Sequence, residues 1–238
     1  MGDLLFNTTY PPNLKLGSLQ VDKVFCGTTQ VWPRSSGVTG GRGILYNGYA
    51  AKKNIARPGW HLPTDAEWTA LTDFLGGLSV AGGKMKEIGT ARWNAPNTGA
   101  DNSSGFTGRP GGSRDYTGAF SSIATFANFW SITVYGSNGS YVRRLTSSSA
   151  AAVAANNGWA YGLSIRLIKN DSSLASYTDF EGNVYQTIKI GNQVWMAENL
   201  KTQYYMDGTM IPNIMGNSSW ASDIDGAMCY YNNDLGYL

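Results

Sequence analysis

Apolar residues in this chain come in short runs, and nearly every run is closed off by Gly, Ser, Asn or Thr. That punctuation constrains the fold more than any single motif does. Glycine and the short polar residues supply the backbone conformations and local hydrogen bonds of turns. The pattern therefore predicts many short strands and loops and few long helices. Eight tryptophans and fourteen tyrosines accompany the thirty glycines, a content incompatible with disorder. A chain of 238 residues is also long enough to bury a core. The formal charge is +2, with Lys and Arg scattered, so the electrostatic footprint of a nucleic-acid binder is missing and no nucleic-acid partner is expected. No apolar stretch approaches the ~18 residues of a membrane span, so membrane insertion is not expected either. The start, MGDLLFNTTYPPN, has neither the basic opening nor the apolar centre of a secretory signal. It also lacks the Ser or Thr of a lipidation motif.

Local signals divide the chain. Residues 1–40 read as a small β module and linker. In LQVDKVFCGTTQVWP, Val21, Lys23 and Phe25 alternate with Asp22, Val24 and Cys26, and Gly27-Thr28 makes the turn into a second strand ending at Pro33. After Pro63, Thr64-Asp65-Ala66-Glu67 is a capping box, with Trp68, Leu71 and Leu75 at helical spacing behind it and Gly76-Gly77 as the stop. A second short helix is expected over 82–88. Residues 92–120 show almost no periodicity, and a loop this long is either functional or packed by its own aromatics. Strands are expected at 129–133, 141–145 and 163–168. Residues 170–176 are polar and read as a linker. A hairpin follows, with Val184, Gln186, Ile188 and Ile190 on one face, a Gly191-Asn192 turn, and Val194 and Met196 returning.

Two blocks carry a family resemblance. GNQVWMAENL and CYYNND lie in 179–234, and GILYN, GWHLPTDAEWTAL, GFTGRPGGSRD, FWSIT and GLSIRLIK lie in 43–169. Together, over roughly 180 residues, they resemble the Fibrobacter succinogenes major paralogous domain, related to C-type-lectin-like and sulfatase-modifying-factor domains. In that family the EGNVY…CYYNND block comes first; here it comes last. The resemblance implies an α+β, C-type-lectin-like domain of short antiparallel sheets, two short helices and long loops, circularly permuted over 41–238. Its parts would be 41–169, a linker at 170–178, and 179–238. The segment VFCGTTQVWP is similar to a phrase of phage tail and fibre proteins. The implied function is a receptor-binding protein of a phage tail tip or fibre. It would sit in the virion, contact other tail proteins, recognise a bacterial surface protein or glycan, and assemble as a homo-oligomer, with a trimer as one form. A secreted or cell-surface bacterial adhesion or carbohydrate-associated module is the alternative.

No catalytic constellation stands out. His61, the sole histidine, has no GxSxG elbow or cysteine motif to serve, and a structural, hydrogen-bonded role is expected for it. Related formylglycine-generating enzymes depend on a cysteine pair near their last strands, where this chain has Leu167. A family-type disulfide fails likewise, since its positions read Ala56 and Leu167. Cys26 and Cys229 are expected as unpaired thiols. The chain is therefore expected not to be an enzyme and to need no cofactor. Asp207, Asp223 and Asp225 lack the calcium-loop pattern and read as turn residues, which leaves room for a structural calcium. Trp60, Trp68, Trp93, Trp130 and Trp195 are expected in the core, although a sugar-stacking platform is the other reading.

Residues 130–161 are different. Small residues there alternate with aromatic and hydrogen-bonding ones, the make-up of adaptable binding loops. SSSAAAVAANN shows no core-facing periodicity and is read as outside the packing. The candidate ligand contacts are Tyr135, Ser137, Asn138, Tyr141, Arg143, Arg144, Thr146, Asn156, Asn157, Trp159 and Tyr161. By resemblance, this is the segment that diversity-generating retroelements rewrite in tail proteins of this fold class. An ordinary variable surface loop is the alternative.

Overall fold

The computed structural model describes residues 41–238 in full and, before them, the backbone of strands Lys15–Leu16, Leu19–Gln20, Val24–Cys26 and Thr29–Trp32. The chain divides into two compact units, Met1–Val38 and Thr39–Leu238. In the first, the expected hairpin forms: Val24–Cys26 runs antiparallel to Thr29–Trp32, with Cys26 opposite Thr29 across the turn.

The second unit is α+β, with small antiparallel sheets and few helices. One sheet has the order Met228–Cys229, Leu45–Asn47, Gly162–Leu163, Ser113–Arg114, Phe120–Ser121. Another runs Thr187–Ile190, Gln193–Met196, Ile168–Lys169, Trp60–His61. Each draws strands from both ends of the unit: Cys229 lies opposite Leu45, and Trp195 opposite Ile168. A third sheet, Ala152–Gly158, Gly139–Thr146, Phe126–Tyr135, has the longest strands.

The helix Asp65–Phe74 forms where its capping box sits. Thr64 Oγ1 accepts from Glu67 N at 3.2 Å, and the Glu67 carboxylate accepts from Thr64 N at 2.8 Å. Such a cap contributes about 1 kcal/mol. Trp68 and Leu71 face inward with no exposed surface. Trp68 packs 4.6 Å from the Trp195 ring and 5.9 Å from Phe106, so one aromatic cluster joins helix, loop and the 190s hairpin. Trp93 and Trp130 are buried as well, while Trp60 is half-buried.

Four expectations need correction. Two more short helices, Gly48–Ala51 and Asn217–Ser222, add to the two expected, and the helix expected at 82–88 is Leu78–Met85. Gly82 and Gly83 do not mark its start; they let the helix touch neighbouring backbone, since a Cβ on Gly82 would lie 2.2 Å from the Ala151 carbonyl oxygen. Residues 163–168 do not make one strand. Only Gly162–Leu163 and Ile168–Lys169 pair in ladders. Between them the backbone passes from sheet to sheet: Ser164 bonds to Asn128 and Trp130, Ile165 to Leu200, and Leu167 to Met196. Finally, the alanine-rich stretch is a strand, Ala152–Gly158.

The 92–120 segment contains little regular structure, and buried cations hold it. Arg166, with no exposed surface, donates to Phe106 O at 2.6 Å, Thr107 O at 2.7 Å, Met196 O at 2.9 Å and Asn199 Oδ1 at 2.7 Å. Arg114 reaches the carbonyls of Gly118, Ile214 and Met215, and its guanidinium stacks on Trp220. Lys86 donates to Thr98, Thr146 and Ser149 carbonyls, and burial pulls its ammonium down to about 8.

Replacing Arg166 by Met would leave four acceptors without a donor, each worth about 1–3 kcal/mol when buried and unpaired. The expected loss of stability in urea unfolding is at least about 3 kcal/mol, comparable to the ~3–5 kcal/mol of a Trp68→Ala truncation. A loss under 1 kcal/mol would show that the guanidinium is dispensable.

Candidate binding face

The strands Phe126–Tyr135 and Gly139–Thr146 form a hairpin whose end stands clear of the core. Gly136 takes φ +63° in the turn, a conformation open to glycine, and Ser137 and Asn138 complete it, both exposed. Tyr135 is 46% exposed and lies edge-on to Tyr141, with ring centroids 5.2 Å apart. Tyr141 sits where the register with the first strand shifts, and it pairs with exposed Asn156 on the third. Tyr135, Ser137, Asn138, Tyr141 and Asn156 thus come together at one end of the sheet.

The remaining candidates separate from this group. Side chains alternate across a strand, so Arg144 lies on the opposite face from Tyr141. Its Nε donates to Asn128 Oδ1 at 2.7 Å, and its guanidinium sits over Phe126. Tyr161 is half-buried against Tyr116, close enough to Arg144 to feel its charge, and its phenol is raised chiefly by burial and then by Asp115. Thr146 lies at the far end of its strand, roughly 16 Å from Tyr141 at 3.3 Å per residue. There it shares its hydroxyl with Ser148. Asn157 is half-buried, and its Oδ1 has no donor among the described residues.

Two candidates have a different task from the one expected. Arg143 is 1% exposed. The first turn of Asp65–Phe74 covers that side of the sheet, and Arg143 Nη2 donates to Asp65 Oδ1 at 3.0 Å, so it is not a ligand contact. Trp159 is half-buried and clamps the hairpin end. Its indole N–H donates to Ser140 Oγ at 3.0 Å and its backbone N–H to Asn138 O at 2.9 Å. Its carbonyl accepts from Gly48 N at 2.7 Å, Lys52 lies over its ring, and Tyr49 meets it edge-on. A Cβ on Gly48 would stand 2.7 Å from Trp159 Cα, which is why glycine is needed there. Sequence reasoning missed Tyr49, Lys52 and Tyr116. A signal existed for Tyr116: Asp115 caps its loop by accepting from Thr117 N and Ala119 N, a turn legible in D-Y-T-G.

His61 has both ring nitrogens engaged, Nε2 with Glu67 Oε1 at 2.9 Å and Nδ1 with Asn170 Oδ1 at 2.7 Å. It borders a surface pocket of about 270 Å³ lined by Ile55, Ala56, Trp60, Leu62 and Ile132. Cys229 is a buried free thiol pushed up to about 12 by burial, too high to supply a thiolate. The side chain of Cys26 lies outside the described residues. Among the described residues, no three His, Cys, Asp or Glu side chains converge on a metal position, and no helix is long and apolar enough to cross a membrane.

The Glu67 hydrogen bond raises the His61 imidazolium above its ordinary 6.5. For Glu67, burial works upward, but the bonds from His61 and Thr64 outweigh it and hold the carboxyl below 4.5. The His61 contribution is full below 6.5 and is lost as pH rises through the raised value. The Glu67 contribution is present above 4.5 and is lost as pH falls through the lowered one. The Tm advantage of the wild type over His61→Gln is therefore expected to be largest between pH 4.5 and 6.5 and to shrink above that window. A constant difference from pH 5 to about 9 would show that the ring carries no charge in the fold.

A family model, the Fibrobacter succinogenes major domain, matches residues 19–169, more than half of the chain. Comparison with curated proteins and with solved structures returns no significant match.

Proposed function

We infer, starting from a chain that belongs to the Fibrobacter succinogenes major domain family, that this protein is a receptor-binding adhesin of a phage tail tip or fibre. It binds and does not catalyse. Its place is the virion, among other tail proteins, as a homo-oligomer, and its target is a molecule of the bacterial surface. The observation that carries the reading is the exposed hairpin end. Tyr135, Ser137, Asn138, Tyr141 and Asn156 project from a sheet whose inner side chains are locked by Arg143–Asp65 and by the Trp159 clamp. Tyrosines with short polar neighbours on a rigid support are how many protein-binding surfaces combine contact area with low ordering cost. Diversified codons would fall on these same exposed positions. A secreted adhesion module would use the same face; the tail reading rests on the similarity of VFCGTTQVWP to a phrase of phage tail and fibre proteins.

Within this reading, residues 41–238 are a circularly permuted C-type-lectin-like domain. The support is local. Arg42 N donates to Tyr237 O at 3.2 Å, and Gly41 N donates to Leu238 O. A chain read as 179–238 and then 41–169 would cross this junction between residues already in contact, as expected where termini lie close together.

Central aromatics of an interface commonly contribute ~2 kcal/mol or more. Tyr135→Ala and Tyr141→Ala are therefore expected to weaken attachment to host cells at least about tenfold with Tm unchanged. Trp159→Ala should lower both attachment and Tm, because the clamp is lost. Full attachment by both tyrosine variants would sink the site.

A further inference from the structure

The long-stranded sheet has two unlike edges. Along Phe126–Tyr135 the outer backbone groups are engaged: Trp130 N donates to Ser164 O, Ile132 N to Pro63 O, and the Phe126 carbonyl accepts from Gly112 N. The opposite edge is Ala152–Gly158, which among the described residues pairs only with Gly139–Thr146. The helix Leu78–Met85 packs against its leading end only, where Gly83 N donates to Ala150 O. From Val153 to Asn157, the outward backbone groups have no partner among the described residues.

Natural edge strands are guarded by Lys, by Pro, by bulges or by a covering element, because an open row of N–H and C=O groups recruits any passing strand. Val153–Asn157 has none of these guards. Its sequence, VAANN, has no charge and no proline, and its ladder with the inner strand runs in unbroken register from Gly139 opposite Gly158 to Leu145 opposite Ala152. Its side chains are short. Val153, Ala154 and Asn156 are exposed, and Ala155 is half-buried. An added strand would therefore meet only short side chains, and larger ones could pair beside exposed Ala154; Ala155 packs against the core on the other face.

We propose that Val153–Asn157 is a docking edge for an extended, uncharged segment of a partner protein, which adds as a fourth strand and places β-branched or aromatic residues beside Ala154. The proposal rests on the adhesin reading for its biological partner and narrows that partner from protein or glycan to protein. Affinity would come from main-chain hydrogen bonds and selectivity from alternate side chains, as in other strand additions. The incoming strand would run alongside Asn156, which pairs with Tyr141, so the aromatic end and the open edge form one continuous surface. A second copy of this edge fits less well. Antiparallel pairing about Ala155 would set Ala154 against Asn156 and Val153 against Asn157, short side chains on both sides. Five residues so paired fall well short of the roughly 1,200–2,000 Å² of a stable interface.

The test uses the full chain. Peptides are selected on it from a displayed library of random ten-residue segments, synthesised, and measured for affinity and for amide exchange. The expected result is binding by uncharged, β-branched or aromatic sequences, with at least about tenfold slower exchange among the amides of 153–157. Ala154→Lys, a guard placed on an exposed position, should weaken that peptide at least about tenfold with Tm unchanged. Three results would overturn the proposal: no peptide recovered, protection elsewhere in the chain, or Ala154→Lys binding as the wild type does. Protection of 153–157 that grows with protein concentration in the absence of peptide would also overturn it, in favour of self-pairing. The two readings fail separately. Glycan binding with unprotected 153–157 amides removes the docking edge and leaves the adhesin standing. Edge binding of peptide, with full host attachment by Tyr135→Ala and Tyr141→Ala, does the reverse.

Discussion

The Arg166 guanidinium is the interaction on which the rest of this domain depends. It lies wholly out of solvent, faces no carboxylate at hydrogen-bond distance, and is held by three backbone carbonyls and the Asn199 side chain. Burial lowers its proton affinity well below that of a free guanidinium. Moving such a charge out of water costs several kcal/mol, and the offset is four charge-assisted bonds to acceptors that would otherwise lack donors. Those acceptors belong to segments far apart in sequence: Phe106 and Thr107 in the long loop, and Met196 and Asn199 behind the 190s hairpin. Asn199 extends the link by donating to Arg42 O at 2.7 Å, and Arg42 donates in turn to the Pro110 and Arg92 carbonyls. A domain with little regular structure has many carbonyls outside ladders, and each buried one needs a partner. Arginine, with five donors in a planar fork, meets that need at several carbonyls at once.

The same device reaches the candidate binding face. Lys86 holds the Thr146 and Ser149 carbonyls, the connection between the second and third strands of the long sheet. Arg143 fastens the middle strand to Asp65, at the N-terminal end of the capped helix, where a carboxylate is also favoured by the helix dipole. Trp159 closes the far end. The sheet is therefore tied at its base, middle and tip from within, and the exposed side chains at its aromatic end and on its outer strand take no part in those ties. The rigidity of the face is a property of the side chains beneath it.

Much of this was legible in the sequence where the signal is local. The capping box, the Gly76-Gly77 stop, the Gly191-Asn192 hairpin and the framework tryptophans each carry their own chemistry within a few residues. What was not legible depends on neighbours distant in the chain. Ala152–Gly158 lacks both β-branched enrichment and alternation because its partner strand, not its own sequence, makes it a strand. Arg143 reads as a surface cation until the helix that carries Asp65 is placed over it. Gly82 reads as a helix boundary, although Gly82 and Gly83 allow close backbone approach to Ala151 and Gly99. Buried arginines that bind carbonyls leave no pattern at all, since their partners are backbone atoms that any residue supplies.

This division has a consequence for how the face can change. At exposed Tyr135, Ser137, Asn138, Val153, Ala154 and Asn156, replacement alters surface and little else, which ordinarily moves stability by no more than about 0.5 kcal/mol. At Val142, Arg143, Leu145 or Trp130, a few residues away, replacement opens the core or strands a buried group, with costs of several kcal/mol. Tolerant positions gather at the hairpin end and on the outer strand, and intolerant ones along the parts of the same strands that the helix and the core cover. A segment built like this can be rewritten at every exposed position while the framework motifs around it stay as they are. Stability is held instead in Arg166, Lys86 and the tryptophan cluster, groups that lie apart from those exposed positions.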